Sequence, residues 1–423
     1  MLLEFRVRNF RSIRDEQALN LIASGDKELA ATHLASTGLK SAPHALRSVV
    51  VYGPNASGKS SLLRALDYMR AVVAESATVI QPGQTYNVQP FKLDPATIHQ
   101  PTEFEITFLL SGVRHQYAFA MTPQRIVSES LLVYRSSKPT RLFSRQHIDG
   151  DGYEYEFSTY LTGPRKLWQE STRPNALFLS MAAQLNSEQL GLVFNWIVRN
   201  IVFLPAGASV LPDFTTSLLA TPEGQVTIRE FLSAADISIA DVRAVPHKAM
   251  HTQFVMSASG VQQASQEERE VLRPIFEHST NKGSAKFELH DESEGTQRLY
   301  GLIAPVLDCL REGRALVVDE LDSSLHTLLV RRLIAMFQTP ELNPNGAQLI
   351  FSTHDTSLLD HALFRRDQIW FTEKDADQAT RLYPLTDFSP RKQEALERGY
   401  LAGRYGAVPF FSHWPAPAKA GVH

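Results

Sequence analysis

A glycine-rich loop between a strand pattern and a helix pattern constrains this chain more than any other feature of its sequence. The loop reads Gly53-Pro54-Asn55-Ala56-Ser57-Gly58-Lys59-Ser60, with an apolar run at 48–52 before it and a helical pattern after it, to about residue 77. Strand, glycine-rich loop and helix in this order form the context that a P-loop requires. Glycines let the backbone wrap closely around a phosphate chain, and the helix adds its N-terminal dipole. A chance glycine turn would not account for both flanking elements.

The end of this loop carries the side chains that a nucleotide needs. Lys59 can reach the β- and γ-phosphates of ATP, and the hydroxyl of Ser60 can ligate Mg²⁺. Ser61, the next residue, is assigned to the same binding loop. The predicted cofactors are therefore ATP and Mg²⁺.

The remaining patterns divide the chain into stretches of different type. Residues 3–10 alternate apolar and polar, which predicts a half-buried strand, and alternating runs between about 86 and 144 predict a β meander. The pattern is helical from about 166 to 200 and mixed from there to about 286, with Lys282-Gly283-Ser284 as a predicted flexible joint. Further on, short apolar strands separated by helices indicate a parallel sheet covered on both faces.

Two strands of the second half end in chemically active side chains. The run 314–318 leads directly into Asp319 and Glu320, at the strand end where α/β sheets place ligands. Asp319 is predicted to hold Mg²⁺, and Glu320 is predicted to orient and polarise an attacking water. Solvated strand-end carboxylates are the alternative interpretation. His354 ends the second strand and is predicted to contact the γ-phosphate or the lytic water, with a structural histidine as the alternative.

A second phosphate site is predicted where the segment Glu292-Ser293-Glu294-Gly295-Thr296-Gln297 begins a helix. Ser293 can cap that helix, whose first N–H groups would face an anion. An ordinary capped helix start explains the same residues. The segment lies a short distance before the Asp-Glu strand in the sequence, and this position favours a phosphate site.

These motifs, in this order and followed by Asp322-Ser323-Ser324, resemble the ABC-type ATPase heads of the SMC/RecF class. More narrowly, the motifs at 9–12, 90–93, 292–297 and 399–406 resemble the AbiL/RloA-type AAA-family ATPases of bacterial phage defence, which are related to the PtuA ATPase of Septu systems and to OLD-family heads. The resemblance covers nearly the whole chain. One departure is that the usual glycine pair of the signature is reduced to Gly295.

The resemblance implies a fold and a division into domains. The implied fold class is α/β, an ABC-type P-loop NTPase head with a mixed sheet, an antiparallel β lobe and a mostly helical inserted region. No heptad run is present, so no long coiled coil is expected. The domains are an ATPase lobe with the P-loop and meander at 1–160, an inserted helical or mixed region at 161–285, and a second ATPase lobe at 286–423.

The resemblance also implies how the sites combine. Such heads form head-to-tail homodimers or higher oligomers, so Lys59 and Ser60 of one copy would face Ser293, Gly295 and Gln297 of the other. Asp322 would run along the interface. Gln184 is the candidate for a glutamine that links Mg²⁺ to the inserted region, although a helix-surface glutamine explains it nearly as well. Arg11 could contact phosphate or adenine, or could be an exposed strand-end arginine.

The implied function is a dimeric nucleotide switch in antiphage defence that regulates a separate nuclease effector, TOPRIM-like or HNH. Neither nuclease pattern occurs in this chain. The main alternative is a DNA-repair or chromosome-maintenance ATPase that clamps DNA directly, with a transporter subunit and a non-hydrolysing scaffold as further alternatives. The net charge of −3 gives no global attraction to nucleic acid, so DNA as a partner would need local arginines such as 331–332 and 365–366.

The N-terminal segment and the single cysteine bear on location. The N-terminus lacks the apolar core of a signal peptide, and no apolar stretch has the length of a transmembrane helix. Cys309 lies in an apolar helical pattern and is predicted to pack as a small hydrophobic residue. We therefore expect a cytoplasmic protein without a membrane partner.

Overall fold

A computed structural model describes residues 1–136, 138–150, 152–207, 212–235, 237, 239–257, 260–389 and 394–409. Its strands are β1 (Leu2–Arg8), β2 (Gln17–Asn20), β3 (Leu34–Ser36), β4 (His44–Leu46), β5 (Ser48–Tyr52), β6 (Thr102–Leu110), β7 (Val113–Met121), β8 (Ile126–Tyr134), β9 (Thr140–His147), β10 (Tyr153–Phe157), β11 (Ile201–Leu204), β12 (Asp241–Ser257), β13 (Gly260–Thr280), β14 (Gly283–Glu288), β15 (Ala315–Val318), β16 (Gln348–Ser352), β17 (Ile369–Lys374) and β18 (Thr380–Pro384). Its α-helices are α1 (Ala30–His33), α2 (Lys59–Glu75), α3 (Arg165–Ser171), α4 (Phe178–Gln184), α5 (Glu188–Arg199), α6 (Pro212–Leu219), α7 (Pro222–Ala234), α8 (Glu294–Glu312), α9 (Thr327–Gln338) and α10 (Leu396–Leu401).

The central sheet is six-stranded, in the order β11-β15-β16-β5-β17-β18. Its pairings are parallel except for the antiparallel pair β17 and β18, so the predicted parallel sheet is confirmed. Every residue of β5, β15 and β16 is buried, as expected for strands covered on both faces. The three strands β5, β16 and β15 are parallel, and β16 lies between the other two. The P-loop after β5 and the Asp-Glu pair after β15 therefore lie at the same edge of the sheet, with one strand between them.

The second sheet is antiparallel and has seven strands, in the order β10-β9-β8-β7-β6-β1-β2. It contains the predicted meander, extended by the first two strands of the chain through the pairing of β1 with β6. The alternation of β5 decides how the layers pack. Val49 and Val51 join α2 and the inner face of this sheet in one core, whereas Val50 and Tyr52 point into a second core with α8 and α9.

The inserted region is divided more sharply than the sequence pattern indicates. Helices α3 to α5 occupy its first part, and β11 then enters the central sheet. After α6 and α7, residues 241–257 and 260–288 form a three-stranded antiparallel sheet, β12-β13-β14, so the expectation of a mostly helical region does not extend to this stretch. The segment Lys282-Gly283-Ser284, predicted as a flexible joint, lies at a tight hairpin: Lys282 is in the two-residue connection between β13 and β14, and Gly283 and Ser284 begin β14. Cys309 is buried in α8, as predicted.

The described helices contain none that is both long enough and apolar enough to cross a membrane. The tail after Trp414, which the sequence marks as rich in small residues, lies outside the described residues.

Candidate functional site

The P-loop has the backbone that its glycines predict. Gly53 and Gly58 have φ of 153° and 114°, values that favour glycine. A Cβ at Gly53 would lie 2.4 Å from the carbonyl oxygen of Thr372, and one at Gly58 would lie 2.1 Å from the hydroxyl oxygen of Thr380. Two separate reasons therefore favour glycine at both positions: the positive φ and the close approach of the β17–β18 hairpin. Ala56 also has a positive φ, 63°, at the exposed turn of the loop.

Lys59 lies inside the loop and is 5 % exposed. Its Nζ donates hydrogen bonds to the carbonyl oxygens of Gly53 at 2.7 Å and Pro54 at 3.2 Å. Burial lowers the pKa of Lys59 to about 8, although the carboxylates of Asp319, Glu320 and Asp322 act in the opposite direction. A bound phosphate chain would supply the missing negative charge, so this cation suits an anionic ligand.

Hydroxyl groups from three separate segments stabilise the start of α2 by hydrogen bonds that no sequence motif predicts. Ser12 Oγ donates to Ser61 Oγ at 2.9 Å. The hydroxyl of Thr380 lies 2.9 Å from both Ser12 Oγ and the carbonyl oxygen of Ser57. Ser57 Oγ lies 2.6 Å from Thr372 Oγ1. The motif at 9–12 marks Ser12 in the sequence, but the local sequence does not show that Ser12 contacts a hairpin more than 360 residues away.

Ser352, at the end of β16, fixes the turn that follows β15. Its Oγ donates to Asp319 Oδ1 at 2.7 Å and accepts from the backbone N–H of Glu320 at 2.8 Å. Glu320 has φ of 54°, a left-handed conformation that is uncommon outside glycine. Ser352 thus orients the two predicted carboxylates, and it is a further site residue that no sequence motif indicates.

Asp319 tests whether the site can hold Mg²⁺. The side chain is fully buried, and its Oδ2 has no hydrogen-bond partner among the described residues. A buried carboxylate oxygen without a partner is costly unless a cation or water satisfies it. Together with the hydroxyl of Ser60 at the start of α2, this donor set fits the oxygen ligands that Mg²⁺ prefers.

His354 and Asp322 meet beside the same turn. The backbone N–H of His354 donates to Asp322 Oδ2 at 3.2 Å, while Asp322 Oδ1 has no hydrogen-bond partner among the described residues. The imidazole is exposed to the cleft. Partial desolvation of the imidazole lowers the pKa of His354, and the nearby Lys59 cation lowers it further, so the neutral imidazole is favoured at neutral pH.

These residues enclose one small cleft of about 190 Å³ at the carboxyl edge of the central sheet. It is lined by Ser12, by the loop residues 55–61, and by Glu320 and His354. The arrangement places an ammonium, a hydroxyl-bearing helix start, a carboxylate and an imidazole around one space. Such a set can hold a phosphate chain and activate water beside it.

The predicted second phosphate site lies elsewhere in the chain. Ser293 caps α8 as predicted, accepting from the backbone N–H of Thr296 at 3.2 Å. Gln297 Nε2 donates to the carbonyl oxygen of Glu292 at 2.7 Å. A Cβ at Gly295 would lie 2.8 Å from the carbonyl oxygen of Ser324, which explains why a glycine remains at this one position of the altered signature.

This helix start adjoins a second, larger cleft, of about 780 Å³, near the base of β13. Its lining includes Gln297 and Arg298 from α8 with Ser323 and Ser324. Burial lowers the pKa of Arg298, and the charge of Glu320 raises it, so α8 and the Asp-Glu turn are electrostatically linked. Within one chain, neither Ser293, Gly295 nor Gln297 is among the described residues lining the P-loop cleft.

Gln184 is not brought to the P-loop cleft either. It is the last residue of α4, and Ser180, one turn earlier, donates to the carbonyl oxygen of Val73 at 2.7 Å. Val73 lies 14 residues along α2 from Lys59, a distance on the order of 20 Å at the rise of an α-helix. As placed here, Gln184 is therefore too remote for the metal-linking role, and that role stays a prediction which would require α4 to move.

Most of the arginines suggested for DNA are already engaged. Arg331 pairs with Asp360, the buried Arg365 pairs with Asp367 at 2.7 Å, and Arg366 pairs with Asp26. Arg332 is exposed. The backbone N–H of Arg11 donates to the carbonyl oxygen of Gln89 at 2.7 Å, and its side chain is exposed near the cleft residue Ser12.

The parallel sheet with its central P-loop strand, the Asp-Glu turn, the histidine on the strand between them and the antiparallel lobe define the chain as an ABC-type P-loop NTPase head. A family model described as "AAA domain, putative AbiEii toxin, Type IV TA system" matches residues 48–177 and 222–360. The match covers more than half of the chain, which therefore belongs to this family.

SMC heads are among the solved structures that resemble the chain. The SMC head domain from Thermotoga maritima is 15% identical with a TM-score of 0.40, over 90% of this chain and 98% of that one. An SMC head bound to the C-terminal winged-helix domain of ScpA is 12% identical with a TM-score of 0.44, over 90% and 97%. Scores of this size carry no functional argument. The comparison with curated proteins found no match.

Proposed function

We propose that this chain binds ATP with Mg²⁺ and hydrolyses it in composite sites formed by two copies of the chain. The observation that carries the proposal is the convergence of Lys59, Glu320 and His354 on one cleft, next to a buried Asp319 oxygen that has no hydrogen-bond partner among the described residues. These are the groups that phosphoryl transfer to water needs, because catalysis of that reaction rests on positioning and on charge stabilisation.

Each residue has a role set by its surroundings. Lys59 exchanges its two carbonyl partners for the β- and γ-phosphates, which restores the charge that burial disfavours. Ser60 and Asp319 would hold the Mg²⁺, whose charge would offset that of the phosphates. Glu320 orients and polarises the attacking water, and Ser352 keeps its backbone in the strained conformation. His354 uses its neutral imidazole to contact the γ-phosphate or the water.

The second copy completes the site in this proposal. Ser293, Gly295 and Gln297 lie outside the P-loop cleft of their own chain, at an exposed helix start. A helix of 19 residues capped by a serine offers N–H groups to an anion. A head-to-tail pair would place this start over the γ-phosphate held by the other copy, with Asp322 along the contact.

We further propose that the nucleotide state controls a separate nuclease effector in antiphage defence, as in the AbiL/RloA-type, PtuA and OLD-family ATPases that the chain resembles. Membership of a family described by an Abi toxin and a toxin–antitoxin system supports this setting. The alternative of direct DNA clamping is weaker, because three of its four arginine candidates pair with carboxylates of the same chain.

The test compares wild type with Glu320→Gln. The amide keeps the shape of the side chain but cannot polarise water, so we expect hydrolysis to fall by roughly 100-fold or more while ATP affinity is retained. ATP should then hold Glu320→Gln in a dimer that is visible by light scattering. Equal turnover in the two proteins would remove Glu320 from this role, and a wild type that neither binds nor hydrolyses ATP would refute the proposal.

A further inference from the structure

The segment 394–407 contains a motif, Gly399-Tyr400-Leu401-Ala402-Gly403-Arg404-Tyr405-Gly406, to which the ATPase chemistry assigns no role. Its helix α10 packs in the core on the side of β5 that faces away from α2. Leu396, Tyr400 and Tyr405 are buried there. The motif therefore lies behind the strand that carries the P-loop.

Aromatic rings connect this segment to that strand. Tyr400 lies 5.5 Å from Phe371 in a stacked arrangement and 5.9 Å from Tyr52, measured between ring centroids. Tyr52 is the last residue of β5, and its hydroxyl donates to the carbonyl oxygen of Asp355 at 3.2 Å. Asp355 follows His354 directly, so the stack reaches the residue next to the cleft histidine.

Two polar contacts join the segment to the same loop. Glu397 Oε1 accepts from the hydroxyl of Thr356 at 2.9 Å. His361 Nε2 lies 2.8 Å from the carbonyl oxygen of Glu394. The stretch from Thr356 to His361 is thus held at both ends by residues 394–397.

Two glycines of the motif allow residues 394–407 to pack closely on themselves and on β17. A Cβ at Gly399 would lie 2.8 Å from the hydroxyl oxygen of Tyr405, and one at Gly406 would lie 2.7 Å from Glu373 Oε2. Gly406 also has φ of 65°. Tyr400 completes the fold of the segment by donating from its hydroxyl to the carbonyl oxygen of Ala407 at 2.7 Å.

We propose that residues 394–407 are a positioning element that seats the loop of His354, and that the contact between Glu397 and Thr356 carries this effect to the histidine. The inference rests on the proposed ATPase function. It gives the motif a task at the site although none of its residues touches the P-loop cleft. The backbone N–H of His354 is held by Asp322 on one side, and the loop that follows is held by residues 394–397 on the other, so releasing the loop would leave the backbone of His354 fixed from one side only.

The test measures kcat, KM and ATP affinity for Thr356→Val, Glu397→Ala and Glu397→Gln in the full chain. Loss of one hydrogen bond should lower kcat by about three- to tenfold in the first two variants, with ATP affinity changed less than about twofold. Glu397→Gln keeps an acceptor oxygen and should restore kcat to within about twofold of wild type. Arg398→Ala, an exposed position on the same helix, is the matched control for α10 and should behave as wild type.

A second arm repeats Glu397→Ala in a His354→Ala background, where we expect no further loss because the effect passes through the histidine. An equal loss in both backgrounds, or wild-type kcat in Glu397→Ala, would overturn the inference. The ring signals of His354 in labelled protein, assigned with His354→Gln, provide a readout without activity: they should shift in Thr356→Val and not in Arg398→Ala. If wild type proves inactive, the proposed function fails, and unchanged ring signals would overturn the positioning contact separately.

Discussion

The P-loop cleft and the start of α8 are two halves of the proposed site, and they are built differently. Contacts within the chain fix the cleft. Lys59 is buried, Thr372 and Thr380 pack against the glycines of the loop, and Ser352 makes hydrogen bonds to the Asp-Glu turn. The start of α8 is exposed at Ser293. Its contacts within the chain are the capping hydrogen bond from Thr296 to Ser293 and the close approach of the carbonyl oxygen of Ser324 to Gly295.

The difference indicates which part of the proposed nucleotide site a single copy of the chain can form. Parts that must bind the nucleotide in a single copy are held by contacts within that copy. The part that would close over the γ-phosphate is presented outward, and its support comes from the loop after Asp322. The buried ring of Phe276, 5.3 Å from that of Tyr300, also fixes the base of β13 to α8.

The largest expected effect separates the two halves at Ser293. Ser293→Arg should lower ATP hydrolysis by about 100-fold or more, because a bulky cation would fill the space meant for the partner's γ-phosphate. ATP affinity of the single subunit should remain within about threefold of wild type, since the cleft is untouched. Calorimetry and a phosphate-release assay measure the two quantities. Loss of ATP affinity would contradict the division into halves.

Ser352→Ala should have a smaller effect, on the cleft half alone. It removes a hydrogen bond to Asp319 and one to the Glu320 backbone, so we expect kcat to fall by about tenfold with ATP affinity nearly unchanged. Ser180→Ala, which removes another fully buried serine remote from the cleft, is the control and should leave kcat intact. Equal effects of the two changes would reduce Ser352 to a packing residue.

The smallest expected effect is a pH dependence of ATP binding. Since burial lowers the pKa of Lys59 to about 8 and bound phosphates favour its ammonium form, binding above pH 8 must take up a proton. Affinity should fall by about fivefold between pH 8 and pH 9. Calorimetry in buffers of different ionisation enthalpy detects the proton directly. Lys59→Ala should show no such uptake, and constant wild-type affinity up to pH 9 would contradict the lowered pKa.

How far the sequence predicts the structure follows from the range of the interactions. The P-loop, Asp319, Glu320 and His354 each follow a short apolar strand, and such apolar runs are visible in the local sequence. The braces from Ser12, Thr380 and Ser352 join segments that are far apart in sequence, so no local pattern reveals them. Gln184 was assigned by resemblance to a motif, whereas Ser180 holds its helix at the distant end of α2.

The 241–288 stretch shows a different limit. Its two longest strands cover 17 and 21 residues and pair along a ribbon, but their sequences mix charged, apolar and β-branched residues without a clean alternation. Apolar side chains such as Val245, Val271 and Leu272 are exposed, and strands that do not bury one face need no strict period of two. Among the ribbon residues whose burial the structure describes, the buried hydrophobic side chains are Val242 and Phe276, at the base.

The most direct measurement of the central claim, that two copies build each site, is a crosslink between the halves. One subunit carries Ser293→Cys and the other Asn55→Cys, both in a Cys309→Ser background that removes the buried native thiol. With ATP and Mg²⁺ the account predicts a crosslinked dimer between the two differently marked subunits, and with ADP much less. Absence of any crosslink between subunits in ATP, while both variants still bind ATP, would contradict the head-to-tail arrangement.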